Sequence, residues 1–344
     1  MAFSVVGGGL STYIPSTNDL ATGALQVEFT RTVNSFAITR YAQLVPTSKM
    51  TGYYLRQDTT DNTRITNDRE FAWPLGNDRP TGKQNAFEFL PYSTQRFAFP
   101  FYIPQETTAQ ASWDIVAQHA RSKAQLAMTS RTNRAATALS AADWGGNTAD
   151  NTLTIGGGAW QNATDSNNFI QKTIQYVMRA VSKTTGGAVS PNQLIMVISP
   201  EIATTLSQSQ EVRAYVKNYP AALSFLQGGD TFSRWGIPPT LYGLSDVVVD
   251  DSVKTTSKKG AATTVNSYIY GNGAYFLSRP GGLVGVEGSN SFSTLQIFAY
   301  EDMTVEQFND PLNRRIEGRV IDNSVSHVVA PASGFYIADV TATS

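Results

Sequence analysis

The chain has 344 residues, 41% hydrophobic and 15% charged, enough for one large domain or two ordinary ones with a real core. Lys and Arg number 26 against 27 Asp and Glu, a formal charge of -1, which argues against a dedicated nucleic-acid binder. Cysteine is absent and histidine occurs twice, at His119 and His327, which excludes disulfides, thiolate chemistry and cysteine zinc sites and starves any histidine triad of partners.

The opening stretch MAFSVVGGGLSTYIP lacks a basic leader, so no signal peptide is expected, and no run approaches the ~20 apolar residues of a membrane span. Residues 1–50 read as an extended arm with one short strand at Leu25, Val27 and Phe29. From Met50 to Arg96 charge of mixed sign is dense: Arg56, Asp58, Asp61, Arg64, Asp68, Arg69, Glu70, Asp78, Arg79, Lys83, Glu88 and Arg96. Tyr53, Tyr54, Phe71, Trp73, Phe87 and Phe89 give it strand-like stretches about a Gly76-Asn77-Asp78 turn. A protruding two-stranded arm accounts for both features, and such a hairpin is marginal without a second layer to pack on. The competing reading is a solvated loop with scattered ion pairs.

Phe97, Phe99, Phe101 and Ile103 alternate with small or polar residues and are punctuated by Pro100 and Pro104, the pattern of an edge strand. Thr107 to Ala142 then reads as one long helix, uninterrupted by Pro or Gly until Gly145. Its apolar stripe is Trp113, Val116, Ala117, Ala120, Ala124, Ala127 and Met128, with Asp114, Gln118, Arg121 and Gln125 opposite. At ~1.5 Å per residue it would be a rod of ~50 Å. A polar connection from Ala142 to Asn168 follows, and from Phe169 the pattern is α/β. A helix carries Ile170, Ile174, Val177, Met178 and Val181. Leu194 to Ile198 is a continuous apolar run suited to a strand buried on both faces, and Ser199-Pro200-Glu201 opens the next helix. Another helix is expected from Gln210 to Leu226. Strands are expected at 246–250, 267–270, 275–277, 283–286, 292–300, 303–308, 314–321 and 335–340.

Chemistry-bearing motifs are weak. Gly271-Asn272-Gly273 follows a strand but lacks the third glycine and the helix of a dinucleotide loop, so it reads as a turn. The pairs Asp250-Asp251 and Glu301-Asp302 could hold a hard cation, although adjacent strand carboxylates diverge. Arg314, Arg315, Glu317 and Arg319 form a charged stripe that could pair with a neighbouring copy or stay solvated. Arg121, Lys123, Arg131 and Arg134 on the long helix are the candidates for contact with a packaged polyanion, and His119 reads as a packing histidine. No catalytic, cofactor or metal constellation is expected.

The order of these elements, together with LIMVISPEIATTL (194–206), GIPPTLYGLSDVVVDDS (236–252), IYGNGAYFLSRPG (269–281), RRIEGRVIDN (314–323) and VVAPASGFYIADV (328–340), resembles the major capsid proteins of tailed bacteriophages, whose Hong Kong phage-type fold encapsulin cages share. The resemblance implies an α+β fold with an N-terminal arm (1–50), an extended E-loop (51–96), a peripheral P-domain with spine helix and linker (97–168), an axial α/β A-domain (169–291), P-domain return strands (292–327) and a closing A-domain strand with tail (328–344). It implies a structural protein, not an enzyme, that forms pentamers and hexamers in an icosahedral virion shell around double-stranded DNA, assembled in a bacterial cytoplasm. Portal and separate scaffold or decoration proteins would be partners. Arg56, Asp58, Arg64, Asp68, Arg69, Asp78, Arg79 and Lys83 would make E-loop contacts between subunits, and Arg314, Arg315, Glu317 and Arg319 P-domain contacts. The alternatives are an encapsulin-like compartment around a cargo enzyme and, remotely, an α/β enzyme.

Overall fold

The computed structural model describes residues 30–57, 87–111, 114–218, 235–238, 240–258, 260–278 and 293–341. The expected strand at Leu25 to Phe29, the tip of the charged arm and the expected strand at 283–286 lie outside these residues.

Two sheets organise the chain. The first is four-stranded, in the order β1-β11-β12-β4, with β1 Gln43–Pro46, β4 Gln95–Pro104, β11 Leu295–Asp310 and β12 Arg315–Val328. Among the described residues β4 is an edge strand, as its prolines require: Pro100 and Pro104 lie opposite Arg319 and Arg315, and β4 ends the strand order of its sheet. Its alternation is also as expected, since Phe101 and Ile103 are buried while Tyr102 is exposed. The strands expected at 292–300 and 303–308 are one strand, β11, whose register against β12 slips between Ala299 and Glu301 and again before Thr304. Met303 there has a φ of 48°. Such a bulge bends the strand, so a single long ladder reads locally as two short ones.

The long helix is two helices. A short α2, Gln105–Gln110, is followed by an extended Ala111, and α3, Ile115–Ala141, begins afresh. Asp114 is the reason: its carboxylate accepts from the Ala117 backbone N–H at 3.0 Å and caps α3. The expected rod of ~50 Å is therefore a 27-residue helix of ~40 Å. It ends where the Trp144 indole donates to the Leu139 carbonyl at 3.2 Å. α3 lies on one face of the four-stranded sheet, chiefly across β12 and β4. Ala127, Met128, Ala135 and Leu139 are buried, whereas Arg121, Leu126 and Thr137 face outwards. One contact of this layer depends on a missing side chain. A Cβ at Gly318 would overlap the Phe101 ring, which lies directly opposite it in the ladder.

The second sheet is five-stranded, β5-β13-β10-β6-β7: β5 Thr148–Asn151, β6 Leu194–Ile198, β7 Asp246–Val249, β10 Ala274–Ser278 and β13 Phe335–Asp339. Every residue of β6 and β10 is buried, because apolar clusters cover both faces of the sheet. α4 (Phe169–Thr184), α5 (Pro200–Gln208) and α6 (Gln210–Asn218) supply one of those clusters. Ser199 caps α5 as expected, accepting from the Ile202 N–H at 3.4 Å. α4 starts differently. Asn168 there is left-handed and caps nothing, and Glu211 reaches over from α6, its carboxylate accepting from the Ile170 and Gln171 N–H groups at 2.9 and 2.8 Å. β5 lies in the expected polar connection, and paired strands β8 (Val253–Thr255) and β9 (Asn266–Tyr268) form a small hairpin beside the sheet.

Gly318→Ala should overpack the contact with Phe101 and lower stability by about 1–3 kcal/mol. Chemical denaturation measures this; an unchanged midpoint would show that the ring moves aside freely.

Candidate assembly surface

Where α3 crosses β12, two arginines close on one carboxylate. Arg131 and Arg134 are three residues apart, so both point at the sheet from the same side of the helix. Asp322, fully buried on β12, accepts from Arg131 Nε at 3.3 Å and Nη2 at 2.6 Å, and also from Arg134 Nη2. Arg131 Nη2 donates in addition to Asp302 at 2.6 Å, and the Arg134 guanidinium covers the Phe97 ring at 3.8 Å. Burial alone would push the Asp322 carboxyl up, but the hydrogen bonds and charges of Arg131 and Arg134 outweigh it and hold it below the usual range. Burial works against both guanidiniums. The bonds to Asp322 and Asp302 overcome it at Arg131, whereas at Arg134 burial prevails and the pKa falls, with the group still charged. Arg131 is only 5% exposed. It therefore does not face a polyanion as expected, and Arg134 is spent on the same carboxylate. Arg121 is exposed and Lys123 half-buried on the outer turns of α3.

The second fixed point joins the segment after residue 30 to the five-stranded sheet. Phe36, Ile38 and Tyr41 are buried against β6, β7 and β10 side chains, the last two in the single-turn helix α1, Ile38–Tyr41. The Tyr41 hydroxyl donates to Asp250 at 2.8 Å and lies 2.8 Å from the Tyr270 hydroxyl. Burial first keeps both tyrosines protonated far above neutral pH, reinforced at Tyr41 by Tyr270 and Asp250 and at Tyr270 by the Asp250 charge. Around this core Arg31 pairs with Asp251 at 2.7 Å and Arg40 with Asp246 at 2.5 Å. Asp250 and Asp251 thus diverge to different partners, as do Glu301, near Arg96, and Asp302, on Arg131. Among the described residues no group of His, Cys, Asp and Glu could hold a metal ion, and no helix is long and apolar enough to cross a membrane.

The third feature is the arm. β2, Thr51–Gln57, pairs antiparallel with β3, Phe87–Ser93. Tyr54, Leu90, Tyr92 and the Arg56–Glu88 ion pair share the inner face. There Tyr92 stacks on Phe298 of β11 at 4.5 Å and Tyr54 at 5.8 Å. A Cβ on Gly52, opposite Tyr92, would come 2.7 Å from its hydroxyl, so the glycine makes room for the ring. The outer face is the reverse: Tyr53, Leu55 and Phe89 are 72%, 59% and 65% exposed. Three adjacent apolar side chains in solvent form an unpartnered strip. Of the arm charges expected to contact a neighbour, Arg56 pairs with Glu88 across its own hairpin; Asp58, Arg64, Asp68, Arg69, Asp78, Arg79 and Lys83 lie outside the described residues.

The charged stripe on β12 faces away from α3. Arg315 bonds Glu317 and lies 3.4 Å from Asp310, and Arg319 donates to Glu306 at 2.6 Å. These groups pair within the chain, with exposed Tyr102 and Phe308 set among them under Arg315 and Arg319. Arg314 is exposed in the β11–β12 turn at a φ of 48°, next to Leu312, which is 94% exposed.

No protein-family model matches the sequence, and no curated protein does. Solved structures do. A phage-related protein from Bordetella bronchiseptica RB50 matches over 95% of this chain and 97% of its own, with a TM-score of 0.62 and 14% identity. The capsid of cyanophage P-SCSP1u matches over 96% of both chains, with a TM-score of 0.55 and 11% identity. The mature capsid of bacteriophage PhiM1 matches over 98% and 91%, with a TM-score of 0.51 and 13% identity. The chain has the phage capsid fold. The α+β, Hong Kong phage-type architecture expected from the sequence is the one observed. In this capsid fold the decisive residues that sequence reading missed are Asp322, Tyr41, Tyr270 and Glu211, while Asp250 and Asp302, considered there as cation ligands, bind Tyr41 and Arg131 instead. A signal existed for the first: Arg131 lies four residues from both Ala127 and Ala135, in the row that is buried.

Asp322→Asn should leave two guanidiniums facing an amide and cost about 3–5 kcal/mol. Because the folded pKa of Asp322 lies below its unfolded value, the pair's contribution is complete above about pH 4 and is lost as pH falls through the folded pKa. Acid titration of the wild-type and Asn variants checks both. Equal stability at neutral pH would refute the assignment.

Proposed function

We propose that this chain is a viral major capsid protein that assembles through copies of itself, as pentamers and hexamers, into an icosahedral shell around double-stranded DNA. The observation that carries the reading is the phage capsid fold over nearly the whole length of the chain. What supports it further is the distribution of unpartnered surface. The arm's outer strip of Tyr53, Leu55 and Phe89, and Tyr102 and Phe308 on the four-stranded sheet, are exposed in the single chain. Both suit interfaces with apolar centres and charged rims.

In this reading residues 1–50 are the N-terminal arm and 51–96 the extended loop that laps a neighbour. Residues 97–168 and 292–327 form the peripheral domain around α3. Residues 169–291 and 328–344 form the axial domain that meets its copies around symmetry axes. The residues described are spent on caps, ion pairs and packing, which supports a structural role over catalysis. The place of action would be the virion, with portal and scaffold or decoration proteins as further partners.

Leu55→Asp with Phe89→Asp should leave the fold intact, because both side chains are solvent-exposed, while abolishing closed shells. Negative-stain electron microscopy of the purified variant and wild type checks this. Normal shells from the double variant would refute the role of the arm. Double-stranded DNA copurifying with wild-type shells agrees with the genome reading; a bound cargo protein in its place would contradict it.

A further inference from the structure

Two rings on the inner face of the arm meet two on the sheet, and one of these is an imidazole. His327 on β12 lies 6.2 Å from the Tyr54 ring of the arm and 6.2 Å from Phe298, the ring on which Tyr92 and Tyr54 both stack. The root of the arm is otherwise a short hinge: Thr94 N–H donates to the Met50 carbonyl and Thr47 N–H to the Ala299 carbonyl, both at 2.8 Å. We propose that His327 is a protonation switch for the seating of the arm: the neutral imidazole completes the ring cluster that holds β2 and β3 on the sheet, and the imidazolium releases them.

The surroundings set the direction. β11 places the uncharged Gln296 opposite His327, and β1 places the uncharged Gln43 opposite Gln296. From the arm come Tyr54 and Tyr92, with the Arg56–Glu88 pair beyond Tyr54 on the same face. Burial raises the Tyr54 pKa, so it carries no charge to offset an imidazolium. Glu88 is engaged by Arg56, and among the described residues no carboxylate forms an ion pair with His327. Burial also lowers the His327 pKa, in agreement with a cluster that favours the neutral ring. The sign follows. A base whose folded pKa lies below its unfolded value contributes fully at high pH, and that contribution is lost as pH falls from about 6.5 towards the folded pKa. Attraction of the cation to the faces of Tyr54 and Phe298 opposes release. The ring centroids are 6.2 Å from the imidazole, at the outer limit for such attraction, and burial of the ring works the other way.

The device concerns the arm and its own chain; its use in assembly rests on the capsid reading. The test is hydrogen–deuterium exchange of the full-length protein, followed on peptides covering Thr51–Arg56 and Glu88–Ser93. It is read at about pH 7.5 and about pH 5 and corrected for intrinsic exchange. Wild type should lose protection in these peptides on acidification, with β6 and β10 unchanged. His327→Phe, which keeps a ring that cannot ionise, should hold its protection at both values. Equal loss in wild type and His327→Phe, or no loss in wild type, would overturn the proposal. Should the variant fail to fold, histidine C2-hydrogen exchange on wild type decides: His327 must titrate below the ordinary imidazole value of about 6.5, and a value at or above it overturns the switch. Neither readout depends on particle formation, so failure here is distinct from failure of the shell reading.

Discussion

The buried contact of Asp322 with Arg131 and Arg134 is the constraint on which the layer of α3 and the four-stranded sheet depends. Apolar burial between a helix rich in alanine and a sheet carrying Gly318 is close but featureless, and many registers would bury comparable area. An unpaired charge in that layer costs several kcal/mol, so only the register that brings both guanidiniums to the one carboxylate is tolerated. The contact thus serves specificity more than net stability. It seats α3 on β12 and β4 and fixes which face of the sheet the helix covers.

The segment after residue 30 ties that layer to the five-stranded sheet. Its backbone at Arg31 donates to Gln125 of α3 at 3.0 Å, its Tyr41 enters the Asp250–Tyr270 site, and its next strand, β1, adds in parallel to β11. One stretch of chain therefore bridges both sheets and the helix. β11 and β12 also run between them, their first and last residues lying near the buried Thr294–Ser278 contact. The two sheets are held in fixed relation by covalent continuity and buried polar bonds, while the described inner face of the arm meets the sheet through ring stacking. That difference makes the arm the element that conditions can move.

Much of this was legible locally. The apolar run at 194–198 announced a strand covered on both faces, Ser199-Pro200-Glu201 announced its helix, and the alternation of Phe97 to Ile103 with its prolines announced an edge. What was hidden depended on distant partners. Arg131 looked like a surface cation because Asp322, nearly two hundred residues away, cannot be inferred from the helix; the same holds for Glu211 capping α4 and Asp250 receiving Tyr41. The break before α3 was available in principle, since Asp114 followed by Ala117 is a cap signal, but the unbroken alanine pattern outweighed it. β1 and β5 were missed because strands of four residues are too short to show an alternation and form only when a neighbour offers its edge.

An apolar strip on an extended arm, with Tyr102 and Phe308 on the four-stranded sheet, remains exposed in a chain whose fold is that of capsid subunits. The central claim is that copies of the chain cover these surfaces by closing into a shell. The most direct measurement is the mass of the purified full-length protein by multi-angle light scattering. Megadalton particles, or capsomers of five and six chains, are what the account predicts. A stable monomer or dimer at every concentration and salt would contradict it.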